Sequence, residues 1–273
     1  MPPLAVTTSV NPKPAIEAQA QQIAAELAAP YCPRLGRSLP DVFAASNAAK
    51  LLIVSAERLR LRDRDTQTEY FFHPNMLQVR ASNVLRGAPD HFLEATGLQT
   101  GDFLLDCTLG FASEASLAAM VVGGNGSVIG LESVPELALM TRVGLQTFSL
   151  HSKPMTAALR QVQVITADYG AYLAACADNS VDVIYFDPFF DERLPGSEPS
   201  VSPLHIFGNP APLDPQAVSH ACRAARRRVV IKHPHHAPLP DVLTEIVTET
   251  VGSRKSRIVY SVMECQSYGV SFL

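Results

Sequence analysis

"VDVIYFDPFFDE", residues 181–192, begins as one kind of structure and ends as another. Val181, Val183, Ile184, Tyr185 and Phe186 form a β-branched and aromatic run of the kind that buries as a strand. Pro188 has no amide hydrogen to donate to a neighbouring strand, so the strand must end at Asp187. The chain therefore uses a strand to present one carboxylate, one proline and two rings, Phe189 and Phe190, at a carboxyl end. In open α/β sheets that edge is where ligands bind.

Outward from this stretch, similar short runs recur at 103–107, 128–132, 162–166, 228–232, 256–262 and 268–272. Helical stretches lie between the first six strands of the full set. Short Val/Ile-rich strands interleaved with helices predict a parallel sheet covered on both faces. Only residues 264–267 separate the last two runs, so they are expected to form a hairpin, with one strand antiparallel. The expected fold class is α/β, with a seven-stranded, mostly parallel sheet over residues 73–273 that ends in an antiparallel C-terminal hairpin. A small α+β unit is expected over residues 1–72. There "AIEAQAQQIAAELAA" (15–29) has strong helix propensity, and "AKLLIVSAERLRLRD" and "TEYFF" supply strands.

The chain has 273 residues, 47% hydrophobic and 18% charged, which is ordinary for a soluble globular protein. No apolar run reaches the roughly 18 residues needed to span a bilayer. "MPPLAVTTSV" lacks the basic and apolar regions of a secretory signal, so none is expected. Five scattered cysteines without a CxxC pair predict neither a disulfide framework nor a zinc site, and point to a reducing cytoplasm. "KHPHHAP" (232–238) has no cysteine near it to complete a metal site, and no metal is expected. A net charge of −4 excludes a protein that is basic overall, yet five basic residues and no acid lie between Arg223 and Lys232. Local phosphate-binding surface remains open beside the alternative of a solvated face.

The chemistry is concentrated at strand ends. The first four candidate strands of the sheet end in Asp106, Glu132, Asp168 (after "ITA") and Asp187. Any one acid alone reads as a helix cap or a surface residue. Right-handed crossovers put all four on one edge, where a single ligand meets them all. Glu132, 22 residues after Gly110, is placed to accept both hydroxyl protons of a ribose. "TLGFASEA" has one glycine where a dinucleotide fingerprint needs three, which disfavours NAD and FAD. A nucleoside without phosphate, carrying an amino-acid tail and a sulfonium, fits better, and S-adenosylmethionine is such a molecule. Asp106 and Asp187 suit its ammonium and sulfonium charges, and Asp168 suits the adenine amine.

The order DxTxG, Glu after the second strand, Asp after the third and then DPFF resembles class I S-adenosylmethionine-dependent methyltransferases, which have a Rossmann-like sheet. DPFF resembles the (D/N)PP(Y/F) motif of enzymes that methylate exocyclic amines or glutamine amides. "LLDCTLG", "GLES", "FDPFF" and "VVIKHPHHAPL" are together similar to the ribosomal RNA small subunit methyltransferase J family and its uncharacterised bacterial relatives, over about residues 70 to 240. The resemblance implies S-adenosylmethionine as cofactor, with Thr108, Gly110, Ser133 and Tyr169 joining the acids around it. It implies small-subunit ribosomal RNA as partner and a guanine amine as acceptor. Asp187, Pro188, Phe189 and Phe190 are then the catalytic group. The carboxylate and the Pro188 carbonyl would accept the amine's hydrogens while a ring stacks on a flipped base.

Arg58, Arg60 and Arg62 alternate along a predicted strand and would project from one face, suiting phosphate contact or merely solvation. Lys232 and His233 are candidates to touch phosphate, with a solvated turn as the alternative. Residues 191–214, with five prolines, read as a loop walling the substrate cleft. Two further readings compete. One is a methyltransferase-like fold kept as an RNA- or protein-binding module, supported by Ala112 standing where the family's loop has a second glycine. The other is a NAD-dependent oxidoreductase, which the missing glycines disfavour.

Overall fold

The computed structural model describes residues 4–74, 76–189, 203–237, 239–252 and 256–265. Phe190, the predicted strand at 268–272 and the first part of the 191–214 loop lie outside the described residues.

The larger sheet contains β5 (Phe103–Asp106), β6 (Ser127–Glu132), β7 (Val162–Thr166), β8 (Val181–Phe186), β9 (Ala225–Pro234), β10 (Glu249–Val251) and β11 (Ile258–Glu264). Its spatial order is β10-β11-β9-β8-β5-β6-β7. The five strands from β9 to β7 run parallel to one another, while β11 runs antiparallel to both β9 and β10. Successive residues point to opposite faces. Leu104, Val183, Tyr185 and Val230 join one core, and Leu105, Ile184, Phe186 and Val229 join the other. The antiparallel C-terminal strands follow the expected class, but their composition differs. The hairpin is made by β10 and β11, with Val251 opposite Tyr260. "ETV" is too short and too polar to stand out as a strand by itself.

The chain runs outward from β5 through β6 to β7, then crosses back to β8 on the other side of β5. The reversal therefore falls between β5 and β8, where a crevice opens at the carboxyl ends.

The smaller sheet holds β1 (Leu4–Thr8), β2 (Lys50–Val54), β3 (Leu59–Asp63) and β4 (Glu69–Tyr70), in that order. One face is closed by Val42 and Phe43 of the helix Leu39–Ser46. The other face shares a core with Leu137 and Met140 of the helix Pro135–Thr147 and with Phe207. Within this contact Lys50 Nζ lies 3.2 Å from Glu136 Oε1, both side chains less than a tenth exposed. Removing one partner of such a buried pair costs about 3–5 kcal/mol, because the other charge is left in apolar surroundings. Phe72 seals the junction: a Cβ added at Gly144 would stand 2.1 Å from its ring. The two sheets are thus joined by packing as well as by chain.

Candidate active site

The crevice at the reversal is a cavity of about 570 Å³. At its floor β5 ends in Asp106, 1% exposed, whose Oδ1 accepts the Thr108 N–H at 3.0 Å. Burial, with Glu114 and Asp187 adding repulsion against the pull of that hydrogen bond, pushes the Asp106 carboxyl up to about 8. Thr108 Oγ1 in turn accepts the Asp187 backbone N–H at 2.6 Å. Gly110 turns the loop with φ +49°, and its carbonyl accepts the Thr141 hydroxyl at 3.0 Å. Ala112 also takes the left-handed conformation, φ 56° and ψ 28°, immediately before the helix Ser113–Val122. Alanine here adopts the backbone a glycine would supply, so the loop keeps its turn and Ala112 no longer argues for a degenerate, non-catalytic fold.

On the β6 side, Glu132 Oε1 accepts the Val134 N–H at 2.9 Å, and burial raises its pKa. Ser133 lines the cavity beside it, and Ala167 and Tyr169 continue the wall. Tyr169 stands edge-on to Phe186, with ring centroids 5.5 Å apart. Asp168 is not part of the wall. It caps the helix Tyr169–Ala175, its Oδ1 accepting the Ala171 N–H at 3.0 Å. Of the cofactor candidates the structure brings together Asp106, Thr108, Gly110, Glu132, Ser133, Tyr169 and Asp187. Asp168 is set at their edge.

On the β8 side Pro188 is buried, and Phe189 faces the cavity with its ring 4.7 Å from that of His205. Gly208 permits this, since a Cβ there would come within 2.9 Å of the Phe189 ring. The described part of the 191–214 loop carries a short helix, Pro203–Phe207, so it is not structureless. Leu204 lies against Gly110, and Phe207 is buried in the core beneath the smaller sheet.

Lys232 and His233, candidates for phosphate contact or a solvated turn, have partners within the protein. Lys232 Nζ lies 2.7 Å from Asp187 Oδ2 and 3.6 Å from Glu114 Oε1, because β9 runs beside β8 and points this side chain into the crevice. His233 is 7% exposed, with Nε2 2.9 Å from Ser261 Oγ and Nδ1 3.0 Å from the Ala237 carbonyl. It holds the turn after β9 against β11.

Arg58, Arg60 and Arg62 lie away from the cavity, Arg60 and Arg62 on the face of β3 opposite buried Leu59 and Leu61 and Arg58 immediately before that strand. Arg62 meets Glu69 and Gln67 at 2.8 Å each, Arg60 lies 3.7 Å from Glu69, and Arg58 stacks over Phe71 at 4.9 Å. Arg62 also lines a second hollow, of about 590 Å³, with Arg34 and Arg64.

Three cavity residues have no signal in the sequence. Arg80 reads there only as half of a loose patch with Arg86. In the fold it is bound bidentately by Asp90, at 2.9 and 3.0 Å, and by Glu114 at 2.8 Å, while Arg86 stays outside. Glu114 reads as an ordinary first-turn acid, and His205 belongs to what reads as loop. No periodicity marks them, because they converge from separate elements.

The cavity fits S-adenosylmethionine. Among the described residues Glu114, Glu132 and Asp187 face two cations, Arg80 and Lys232, and Asp106 adds a fourth carboxyl that a sulfonium or an ammonium would draw into its charged form. Tyr185 also offers a buried hydroxyl with no hydrogen-bond partner among the described residues.

A mostly parallel seven-stranded sheet closed by antiparallel strands, with acids along the carboxyl edge, defines a protein of the methyltransferase fold class. A solved S-adenosylmethionine-dependent methyltransferase from Neisseria gonorrhoeae shares that fold, with a TM-score of 0.61 over 97% of each chain at 13% identity. The chain belongs to the family described as "Putative SAM-dependent methyltransferase", whose model matches residues 39–259. Its cofactor is accordingly S-adenosylmethionine. The uncharacterised protein YpiP of Bacillus subtilis is 36% identical over 233 residues, covering 85% of this chain and 90% of YpiP. Ribosomal RNA small subunit methyltransferase J of Actinobacillus pleuropneumoniae is 28% identical over 204 residues, 70% of this chain and 78% of that protein. Its Coxiella burnetii namesake is 28% identical over 221 residues, 75% and 81% of the two chains. Among the described residues no helix is long and apolar enough to cross a membrane.

Proposed function

We propose that this protein transfers a methyl group to an exocyclic amine of small-subunit ribosomal RNA, guanine N2 in the first instance, in the cytoplasm. The observation that carries the reading is the pairing of Asp187 and Pro188 at the end of β8 with the acid-lined cofactor edge of β5 and β6. Bound S-adenosylmethionine supplies an electrophilic methyl carbon. Asp106 and Glu132 would hold its ammonium and ribose, with Thr108, Gly110, Ser133 and Tyr169 shaping the walls.

The chemistry left to the chain is to make an amine nucleophilic. The lone pair of a base amine is delocalised into its ring. The Asp187 carboxylate and the Pro188 carbonyl accept the two amine hydrogens, draw the nitrogen toward sp³ and aim its lone pair at the methyl carbon. The fixed φ of Pro188 holds its carbonyl direction. The methyl group would exchange its bond to sulfur, which keeps the electron pair, for one to this nitrogen. The proton released by nitrogen passes to Asp187. Phe189, beside His205, offers a stacking surface to a flipped base, a contact worth roughly 1–3 kcal/mol. The unit over residues 1–72 presents Arg58, Arg60 and Arg62 as a second, phosphate-binding surface.

The test is incubation with methyl-labelled S-adenosylmethionine and small-subunit particles or naked RNA from a strain lacking the protein, followed by nucleoside mass spectrometry. Label in one methylated nucleoside, lost in Asp187→Ala, is the expected result. Label found only in DNA or protein, or no binding of S-adenosylmethionine by calorimetry, would overturn the reading.

A further inference from the structure

Five charged groups from five elements form one unbroken line into the cavity. Asp90 binds Arg80, Arg80 binds Glu114, Glu114 faces Lys232, and Lys232 binds Asp187. The signs alternate throughout, so each group stabilises the next. The line is largely shielded from water: the side chains of Asp90, Glu114, Arg80 and Lys232 are 11%, 16%, 22% and 22% exposed. Its last member, Asp187, is the most open at 34%.

Lys232 reaches only one oxygen of Asp187. The ammonium lies on Oδ2 at 2.7 Å, and Oδ1 accepts no hydrogen bond among the described residues. The Asp187 backbone is itself held by Thr108. A carboxylate with its main chain fixed and one oxygen occupied has one oxygen left to offer, in one direction.

We propose that Lys232 is a positioning residue for the methyl transfer proposed above: it occupies Oδ2 of Asp187, so that Oδ1 meets the acceptor amine, while Glu114, backed by Arg80 and Asp90, restrains the ammonium from the other side. The inference rests on that reading of the site and adds to it residues that act through Asp187. Lys232 is held charged, since Glu114 and Asp187 outweigh the burial that opposes its charge. Glu114 is held ionised in the same way, by Lys232 and Arg80 against burial. For Asp187 burial raises the pKa, Lys232 lowers it, Glu114 raises it and Arg80 lowers it. Its other titratable neighbours are Asp106 on β5, Tyr185 on β8 and Tyr260 on β11, with His205 beyond Phe189.

Lys232 and Glu114 therefore act on Asp187 in opposite directions, and both its ionisation and the acid limb of the transfer rate should register this. The experiment follows the ionisation of Asp187 by NMR of protein carrying ¹³C-labelled aspartate, saturated with S-adenosylhomocysteine. Alongside it runs the pH dependence of single-turnover transfer to the RNA acceptor. Lys232→Met should move the Asp187 midpoint and the acid limb of the rate profile up by about one pH unit, and Glu114→Gln should move both down. Lys232→Arg should stay near wild type, which keeps the comparison available should Lys232→Met not fold. Midpoints that stay put, or move the same way in both variants while wild type transfers methyl, would overturn the positioning role and leave the transfer reading standing. A wild-type protein that binds cofactor yet methylates no RNA would overturn the transfer reading, and this role with it, whatever the NMR shows.

Discussion

Thr108 Oγ1 accepts the Asp187 backbone N–H at 2.6 Å, so one hydroxyl ties the carboxyl end of β5 to that of β8 where the sheet order reverses. The same residue donates its own N–H to Asp106. Thr108 thus spaces the Asp106 floor of the cavity from the Asp187 carboxylate.

Thr108→Val keeps the shape and removes the acceptor. The Asp187 amide is then unpaired in a half-buried site, at a cost of about 1–3 kcal/mol. Urea denaturation should show that loss, and Thr108→Ser should recover most of it. Transfer rate should fall more than cofactor affinity, because small misplacements of a reacting group are costly to rate. Equal losses of rate and affinity would place Thr108 in cofactor binding alone.

Asp106 gives the cavity a pH dependence. Its pKa is raised by folding to about 8. A group raised in this way favours the folded state most fully below its ordinary carboxyl range, and that contribution is lost as pH rises through about 8. Cofactor-free protein should therefore lose thermal stability between about pH 5 and about pH 8, and Asp106→Asn should flatten the decline. A cationic ligand favours the ionised carboxylate, so S-adenosylmethionine should bind more tightly as pH climbs through the same window. Calorimetry across that range checks the sign. Glu132, also raised by burial, adds in the same direction.

Ala112 is a buried residue in a left-handed conformation. Ala112→Gly relieves backbone strain of about 1–2 kcal/mol, but removes a buried methyl and loosens the unfolded chain by nearly as much. The expected net change is within about 1 kcal/mol. Ala112→Val keeps the strain and overfills the core, and should cost more than about 2 kcal/mol. Chemical denaturation of the two variants distinguishes these outcomes.

Changing Arg58, Arg60 and Arg62 together to Ala should weaken RNA binding and reduce its salt slope by about 2, with cofactor affinity unchanged. The loss stays below three full contacts, because Glu69 already neutralises part of the face. Binding titrations at several salt concentrations would show it. An unchanged slope in a folded variant would mean that the arginines are only solvated.

Much of this protein is legible along the chain. Strand alternation and strand-ending acids are local signals, so the α/β class, six of the seven described strands of the larger sheet and the acids of β5, β6 and β8 follow from the sequence. β10 does not, because three residues with two of them exposed owe their strand state to pairing with β11. Asp168 shows the limit of a positional argument. It sits at the right strand end, yet a helix start claims its carboxylate first.

The sequence by itself determined which edge carries the chemistry, since Pro188 ends β8 wherever the strand packs and leaves Asp187 at its tip. Only the tertiary structure decided which charges stand beside that carboxylate. In the sequence Lys232 reads as a phosphate contact or part of a solvated turn, at the end of a basic run. The pairing of β9 with β8 turns it inward, and helices more than 100 residues away in the chain bring Glu114 and Arg80 to meet it. Ion pairs of this kind depend on distances of a few ångströms between elements, and linear spacing carries no record of such distances. Lys50 and Glu136, 86 residues apart, meet for the same reason.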